Sequence, residues 1–474
     1  MKRTILGLIV VAVVASAGMS QDYEIKKVWE FLPTQENPSH PWLKAQNGTN
    51  WEHDGANTMD FASTLIRYDE NRLMLFLLEN GIDEANASDA DKAVAEQFPD
   101  RSILWIDPDT GASMGVALTI GLQPAPDSEY YIQKCMGTHP DGPEGDRSWQ
   151  LIEQWPQIGV DGDGYLYYGD KHKILRYLPD GNGGFTGPEI VFRYPEEDPP
   201  VWAVSENLHY RAWCIRSLNV KGSGDNKVMT TAARFWIDGG GIIYYTSDDG
   251  GASWTMQTHR GQEQRGGIGT GGSASLPVID ENMGEEWVFG NGFPGSDDRL
   301  YRFIRPANTT EDFQQDVAEL WDPTEDPAEA SDVEKYKKWN MIDVAAADGA
   351  PYIAVLTLPK WQSRNPPESN PEWEEATAWV ALHSISLDPN DDFIEGDFLS
   401  SYQIAFREKD ELQGVAGDED NWDAAYLAVI NMSVPDGYPE GAAEILWSGG
   451  VFGFGRLVVG DVEIPTHVNE WSLF

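Results

Sequence analysis

Short apolar runs, some alternating with polar residues and some continuous, fill this 474-residue chain, and Gly, Asp, Asn and Pro punctuate them every few positions. Apolar positions spaced for a long helix are scarce, so the pattern is one of strands and turns. One kind of run recurs six times: RSILWID (101–107), HKILRYL (172–178), GIIYYTS (241–247), DRLYRFI (298–304), TAWVALHSI (377–385) and GRLVVGDVEI (455–464). A second run precedes each: RLMLFLL, YLYYG, MTTAARFW, EWVFG, PYIAVLTL and AAEILW. A third stands ahead of that: FASTLIRY, WPQIGVDG, CIRSLNV, ASLPVID, WNMIDVAAA and AYLAVIN. Most of the six are followed by a turn such as DPDTG, PDGNGG, DDGG, PANTT or DPNDD, and then by a fourth run such as PEIVFRY, DVAELWD or VNEWSLF.

A four-strand meander repeated in this way predicts an all-β fold, a β-propeller of six four-stranded blades, with seven blades as the alternative count. Two β-sandwiches or an irregular β-domain are the other all-β arrangements. Each unit is too small to bury its own faces and must pack on its neighbours. The N-terminal run EIKKVWEF has the character of the fourth runs. It is expected to pair near the C-terminal blade, so that N- and C-terminal strands close the ring and leave no bare edge between first and last blades.

The first 20 residues read as a secretory leader: Lys2 and Arg3, an apolar stretch from Ile5 to Val14, then Ala15-Ser16-Ala17. That stretch is too short to span a bilayer. The expectation is a single propeller domain over 21–474, secreted, periplasmic or at the cell surface. A formal net charge of −45 argues against nucleic-acid partners and anionic membranes, and no run suggests membrane insertion. Cys135 and Cys214 could pair outside the cytosol or stay as buried thiols, and their spacing does not decide. Sequons stand at Asn47, Asn86, Asn308 and Asn431. Oligomeric state is not legible.

The stretch SDDGGASW carries Ser247, Asp249, Gly251 and Trp254 as Ser-x-Asp-x-Gly-x-x-Trp on a predicted hairpin. It resembles the Asp-box, or BNR repeat, of sialidases and other propellers. The resemblance implies a structural turn: short polar side chains bond the turn backbone, Gly251 takes positive φ, and Trp254 packs back. Asp109-Thr110-Gly111 and Asp180-Gly181 are degenerate versions. A sialidase-like fold is implied, but not the activity. Neither Leu65-Ile66-Arg67-Tyr68 nor Tyr301-Arg302-Phe303-Ile304-Arg305-Pro306 fits the Arg-containing motif of that family, so no catalytic triad is carried over.

In a meander, first-to-second and third-to-fourth turns share one face, and blade-to-blade links share the other with second-to-third turns. The long segments 121–154, 193–213, 306–338 and 405–422 read as links, and the insert 360–376 falls on their face. Long loops on a rigid scaffold commonly build a binding site. Polar and aromatic residues recur just before the first strands. Candidate ligand-binding residues are Trp51, Trp155, Trp213, Arg265, Lys338, Trp339 and Trp422; candidate catalytic residues are His53, Glu153, His209, Tyr210, Arg211 and Asp420. Flat rings cover sugar C–H faces while charged groups bond hydroxyls, which suits a glycan or another polar small molecule. Three functions stay open: glycan binding, a carbohydrate-active enzyme (glycoside hydrolase or polysaccharide lyase), and a cell-surface or assembly scaffold. No cofactor motif appears; Asp161/Asp163 and the run 418–423 are the carboxylate groups that would suit Ca²⁺.

Overall fold

The apolar runs form antiparallel strands, four to a sheet, and the six sheets make a ring: a six-bladed β-propeller. The computed structural model describes residues 23–31, 40–41, 62–77, 88–99, 101–120, 157–170, 173–193, 214–235, 241–256, 274–280, 284–291, 300–317, 339–359, 375–384, 398–408, 429–449 and 453–464. Strand β1 (Ile25–Phe31) opens the described chain. Blade 1 holds β2 (Ala62–Asp69), β3 (Arg72–Leu77), β4 (Ser102–Ile106) and β5 (Ser113–Thr119). Blade 2 holds β6 (Gln157–Val160), β7 (Leu166–Asp170), β8 (Lys173–Pro179) and β9 (Phe185–Arg193). Blade 3 holds β10 (Cys214–Lys221), β11 (Val228–Phe235), β12 (Gly241–Ser247) and β13 (Thr255–Met256). Blade 4 holds β14 (Val278–Asp280), β15 (Glu285–Asn291), β16 (Leu300–Pro306) and β17 (Gln314–Val317). Blade 5 holds β18 (Trp339–Ala345), β19 (Tyr352–Pro359), β20 (Glu375–Ser384) and β21 (Phe398–Glu408). Blade 6 holds β22 (Val429–Ser433), β23 (Ala443–Gly449) and β24 (Gly453–Val459), and β1 is its fourth strand.

β1 pairs antiparallel with β24, from Ile25↔Val459 to Phe31↔Phe454. The two ends of the chain therefore close the ring, as the sequence predicts. The fourth place of blade 6, for which VNEWSLF was a candidate, belongs to β1; residues 468–474 lie outside the described residues. The link into blade 5 is also shorter than 306–338, because β17 occupies its first part.

The buried apolar residues divide into six clusters, one per blade junction. Ile103 and Met74 of blade 1 meet Leu166, Tyr168 and Leu175 of blade 2 within one such cluster. Tyr167 and Phe192 meet Leu218 and Tyr245 across junction 2–3, and Ala232 and Tyr244 meet Val288 and Phe303 across 3–4. Trp287 and Phe289 face Val344 and Val355 across 4–5; Tyr352 and Leu382 face Ile445 and Trp447 across 5–6. Across 6–1, Trp29, Phe454 and Val458 meet Leu65, Leu73 and Leu75. Among the described residues no blade has a core of its own, so each depends on both neighbours. The same dependence sets tight spacing. A Cβ on Gly290 would lie 2.7–2.8 Å from the Tyr244 ring of the adjoining blade. Gly290→Ala is expected to cost about 1–3 kcal/mol through overpacking, read as a fall in urea midpoint with unchanged slope.

Hydrogen bonds stitch the innermost strands and their turns at every junction. Thr64 Oγ1 donates to Gln157 Oε1 (3.3 Å), and Gly162 N to Gly222 O (2.8 Å). Ala274 N donates to Ser217 Oγ (3.0 Å) and Ile279 N to Asp348 Oδ1 (3.0 Å). Ile430 N donates to Asp343 Oδ2 (2.8 Å), and Asn431 Nδ2 to Leu65 O (3.0 Å).

One helix interrupts the strand pattern among the described residues: α1 (Asp89–Gln97), inside the connection from β3 to β4. Ser88 caps it through Asp91 N, and Asp89 and Asp91 fill its first turn. Ala95 is buried on it, and Phe98 at its C-cap joins the cluster between blades 6 and 1.

Candidate ligand-binding face

All pairings within the blades are antiparallel, so the six first strands (β2, β6, β10, β14, β18 and β22) start on one face of the ring, where the blade-to-blade links enter. Of the residues singled out there, Trp51, His53, Glu153, Trp155, His209, Tyr210, Arg211, Trp213, Arg265, Lys338, Asp420 and Trp422 lie outside the described residues. Trp339 opens β18 and its backbone pairs with Pro359. In sequence, Trp155 stands two residues before β6, Trp213 directly before β10 and Lys338 directly before β18.

Beneath that face the first strands carry buried polar residues that the sequence reading passed over. Register shifts occur between Ala62 and Thr64, between Ile215 and Ser217, and between Met341 and Asp343. These bulges fall in blades 1, 3 and 5, and bulges re-aim the side chains beside them. In each case the residue after the shift is buried and polar, and it bonds the next blade: Thr64 to Gln157, Ser217 to Ala274 and Asp343 to Ile430. Asp343 also accepts from Val344 N (2.9 Å), so both of its oxygens serve backbone N–H groups. A polar residue interrupting an apolar first run (Gln157 in WPQIGVDG, Asp343 in WNMIDVAAA) was the available signal.

Among the described residues, the opposite face carries short, well-bonded turns. In the β12–β13 turn, Ser247 Oγ accepts from Gly251 N (2.8 Å) and donates to Asp249 Oδ1 (2.8 Å). Asp249 also accepts from Ser253 N (2.8 Å) and Ser253 Oγ (2.6 Å). Burial of Asp249 pushes its pKa up, and these bonds outweigh it and hold the carboxyl below its ordinary value. Gly251 has φ +93°. Trp254 packs on Phe192 of the preceding blade at 4.8 Å between centroids and donates from Nε1 to Val191 O (3.0 Å). Blade 1 makes the reverse contact: Asp107 holds its turn through the N–H groups of Asp109 and Thr110, and Trp29 of blade 6 donates to Pro108 O (2.8 Å).

Buried ion pairs hold this same face together. Lys227 meets Asp161 at 2.6 Å and Asp163 at 2.9 Å across junction 2–3, over the Tyr165 ring. Burial alone would depress Lys227, but its two carboxylates raise it above the usual lysine value. Asp161 and Asp163, one of the carboxylate groups considered for Ca²⁺, thus face an ammonium; the run 418–423 lies outside the described residues. Arg305 forms a two-pronged pair with Asp248 (2.8 Å each) and reaches Glu286, which also meets Lys221. Glu444 is held between Arg67 and Arg456. Among the described residues no group of three or more His, Cys, Asp or Glu is arranged to hold a metal ion, and no helix is long and apolar enough to cross a membrane.

No protein-family model matches the chain, and no curated protein matches it. Solved structures do. The chain is similar to a subtype N11 neuraminidase-like protein of A/flat-faced bat/Peru/033/2010 (H18N11), at 11% identity and TM-score 0.37, over 94% of this chain and 96% of that one. It is similar to a polysaccharide lyase of family PL25, an ulvan lyase bound to -[GlcA(1-4)Rha3S]-, at 11% identity and TM-score 0.34, over 88% and 81%. It is similar to Trypanosoma rangeli sialidase in complex with the inhibitor DANA, at 10% identity and TM-score 0.36, over 85% and 54%. Likenesses at this level do not argue for a function, and the propeller rests on its own strand order.

Proposed function

We propose that the link face binds a glycan, or a similar hydroxyl-rich ligand, outside the cytoplasm. One observation carries the reading: all six first strands begin on that face, and the residues that precede them in sequence are repeatedly Trp, Arg, Lys, His and Asp. Rings and charges at several entries to one ring suit a sugar's apolar faces and hydroxyls. The leader-like first 20 residues support an exported location. Ser247, Asp249, Gly251 and Trp254 act in this reading as a structural Asp-box on the other face, which supports a place for the chain among Asp-box propellers in fold alone.

An array of neutral, uronate-containing and sulfated polysaccharides tests this, read for retention and for released reducing or unsaturated ends. Wild-type protein is expected to be retained by at least one polysaccharide. Trp213→Ala should weaken that retention about tenfold, the loss of one stacked ring. Asp249→Asn, on the turn face, should leave it unchanged. Release of ends would assign hydrolase or lyase chemistry to the same face. Retention of nothing, with nothing cut, removes the proposal.

A further inference from the structure

We infer that Gln157 is a ligand-positioning residue of the link face, its side-chain amide supplying a hydrogen bond to an oxygen of the bound glycan. The inference rests on the glycan reading and adds a residue to it. Gln157 opens β6, an innermost strand, at the end where the link enters. It is 2% exposed. Its one side-chain partner is Thr64, whose Oγ1 lies 3.3 Å from Oε1, and Nε2 has no hydrogen-bond partner. Turning the amide over exchanges the two ends without supplying a second partner, because Thr64 offers one hydroxyl.

A buried amide end with nothing to bond is unfavourable, and folded proteins leave few such groups. Ile158 and Leu166 beside it are packed in the apolar cluster between blades 1 and 2. The bulge between Ala62 and Thr64 lies beside the one partner, whose single hydroxyl engages one end of the amide and leaves the other over, here Nε2. A group that costs stability where an apolar residue would fit is expected where function uses it. An amide nitrogen is a donor only, so its counterpart is an acceptor: a sugar hydroxyl, ring oxygen or carboxylate. A site built to bond a substrate oxygen discriminates by leaving that donor stranded when the oxygen is missing.

Ser448 provides the internal control. Its hydroxyl is likewise buried without a partner, but it lies on β23, the second strand of blade 6, behind the innermost ring. The probe is the soluble form of whichever array polysaccharide retains wild-type protein most tightly. Affinity by titration calorimetry and melting temperature are measured together for wild type, Gln157→Met and Ser448→Ala. Gln157→Met loses the Thr64 contact along with the unbonded amide end, so it should melt close to wild type and bind at least fivefold more weakly. Ser448→Ala should melt at or above wild type with affinity unchanged. If Gln157→Met melts lower and binds like wild type, the amide holds a structural water and the inference is overturned. Unchanged melting with affinity within twofold also overturns it. Should Gln157→Met fail to fold, Gln157→Asn, which keeps the amide one methylene short, must bind more weakly than wild type for the inference to stand. Wild-type protein retained by nothing fails the glycan reading itself, and this inference with it; wild-type binding matched by Gln157→Met fails this inference alone.

Discussion

Glu444→Ala is expected to destabilise the fold by about 3–5 kcal/mol, the usual consequence of removing one partner from a buried ionic group. Glu444 is fully buried near the start of β23. Arg67 Nε donates to its Oε1 and Arg456 Nε to its Oε2, both at 2.7 Å, and Arg67 NH2 adds a second prong. Burial by itself would lower the Arg67 pKa; the Glu444 carboxylate outweighs it and holds the guanidinium above its ordinary value. Arg456 is anchored further, donating to Pro108 O (2.7 Å) and to Tyr438 OH (3.0 Å). Alanine would take the carboxylate away from two guanidinium groups, Arg456 buried and Arg67 part-buried. It would also cut the bond between blades 6 and 1, beside the β1–β24 pairing that closes the ring. Glu444→Gln keeps the shape and one acceptor and should lose less. Arg67→Met should lose less again, since Arg456 still answers the carboxylate. Urea midpoints of the three variants give the order. A loss under about 1 kcal/mol for Glu444→Ala would mean that water already screens the pair as at an exposed site.

The network was invisible in the sequence for a physical reason. Strand reading assigns charged residues to the solvent side, and Arg67, Glu444 and Arg456 sit in runs (FASTLIRY, AAEILW, GRLVVG) whose apolar members define the pattern. Burial of those charges comes from the junction between blades, a relation between residues nearly 400 apart that no local period encodes. The inner three strands were legible because both of their faces are covered, so RLMLFL or ILWI reads as a near-continuous apolar run. The outer strands carry a weaker signal because only one face is covered. β13 is two residues long, β17 reads QQDV, and β5 (SMGVALT) leaves Met114 and Val116 exposed. That weakness is why VNEWSLF could compete with EIKKVWEF for the last blade. Helix α1 was missed although Ser88, Asp89 and Asp91 make a usable start signal, since nine residues inside a connection show little periodicity.

For the site, sequence and topology divide the work differently. The alternation of turns places every link on one face from strand order alone, and the structure bears out that order. The floor beneath, from Thr64 and Gln157 to Ser217 and Asp343, is only faintly marked in the sequence, because a bulge follows no local period. The two faces also differ in chemistry. Buried and part-buried ion pairs cross blade junctions on the turn face. A ring fastened that firmly on one side can carry long connections on the other without losing the register of its strands.

Acidification gives the second large effect, through His40. The imidazole is buried between Phe31 and Phe454, at 4.4 and 5.1 Å between ring centroids, and its Nε2 donates to Gly111 O (2.8 Å). Burial lowers its pKa from 6.5 to about 4, against a small opposing contribution from the Gly111 bond. The unfolded chain binds a proton near pH 6.5, while the folded chain resists until about pH 4. Stability from this residue is therefore complete above pH 6.5 and is lost as the pH falls toward 4. A shift of that size corresponds to about 3 kcal/mol over the window, since one unit is worth roughly 1.4 kcal/mol. The acidic residues also titrate at low pH, so the comparison must be differential. Urea midpoints at pH 7 and pH 4.5 should fall further for wild type than for His40→Gln, which keeps a donor for Gly111 O but does not titrate. The expected gap between the two pH-dependent losses is about 2–3 kcal/mol. Equal losses would show that the imidazole takes up its proton without leaving the folded ring, and that the contact of blade 6 with the Asp107–Gly111 turn tolerates a charge.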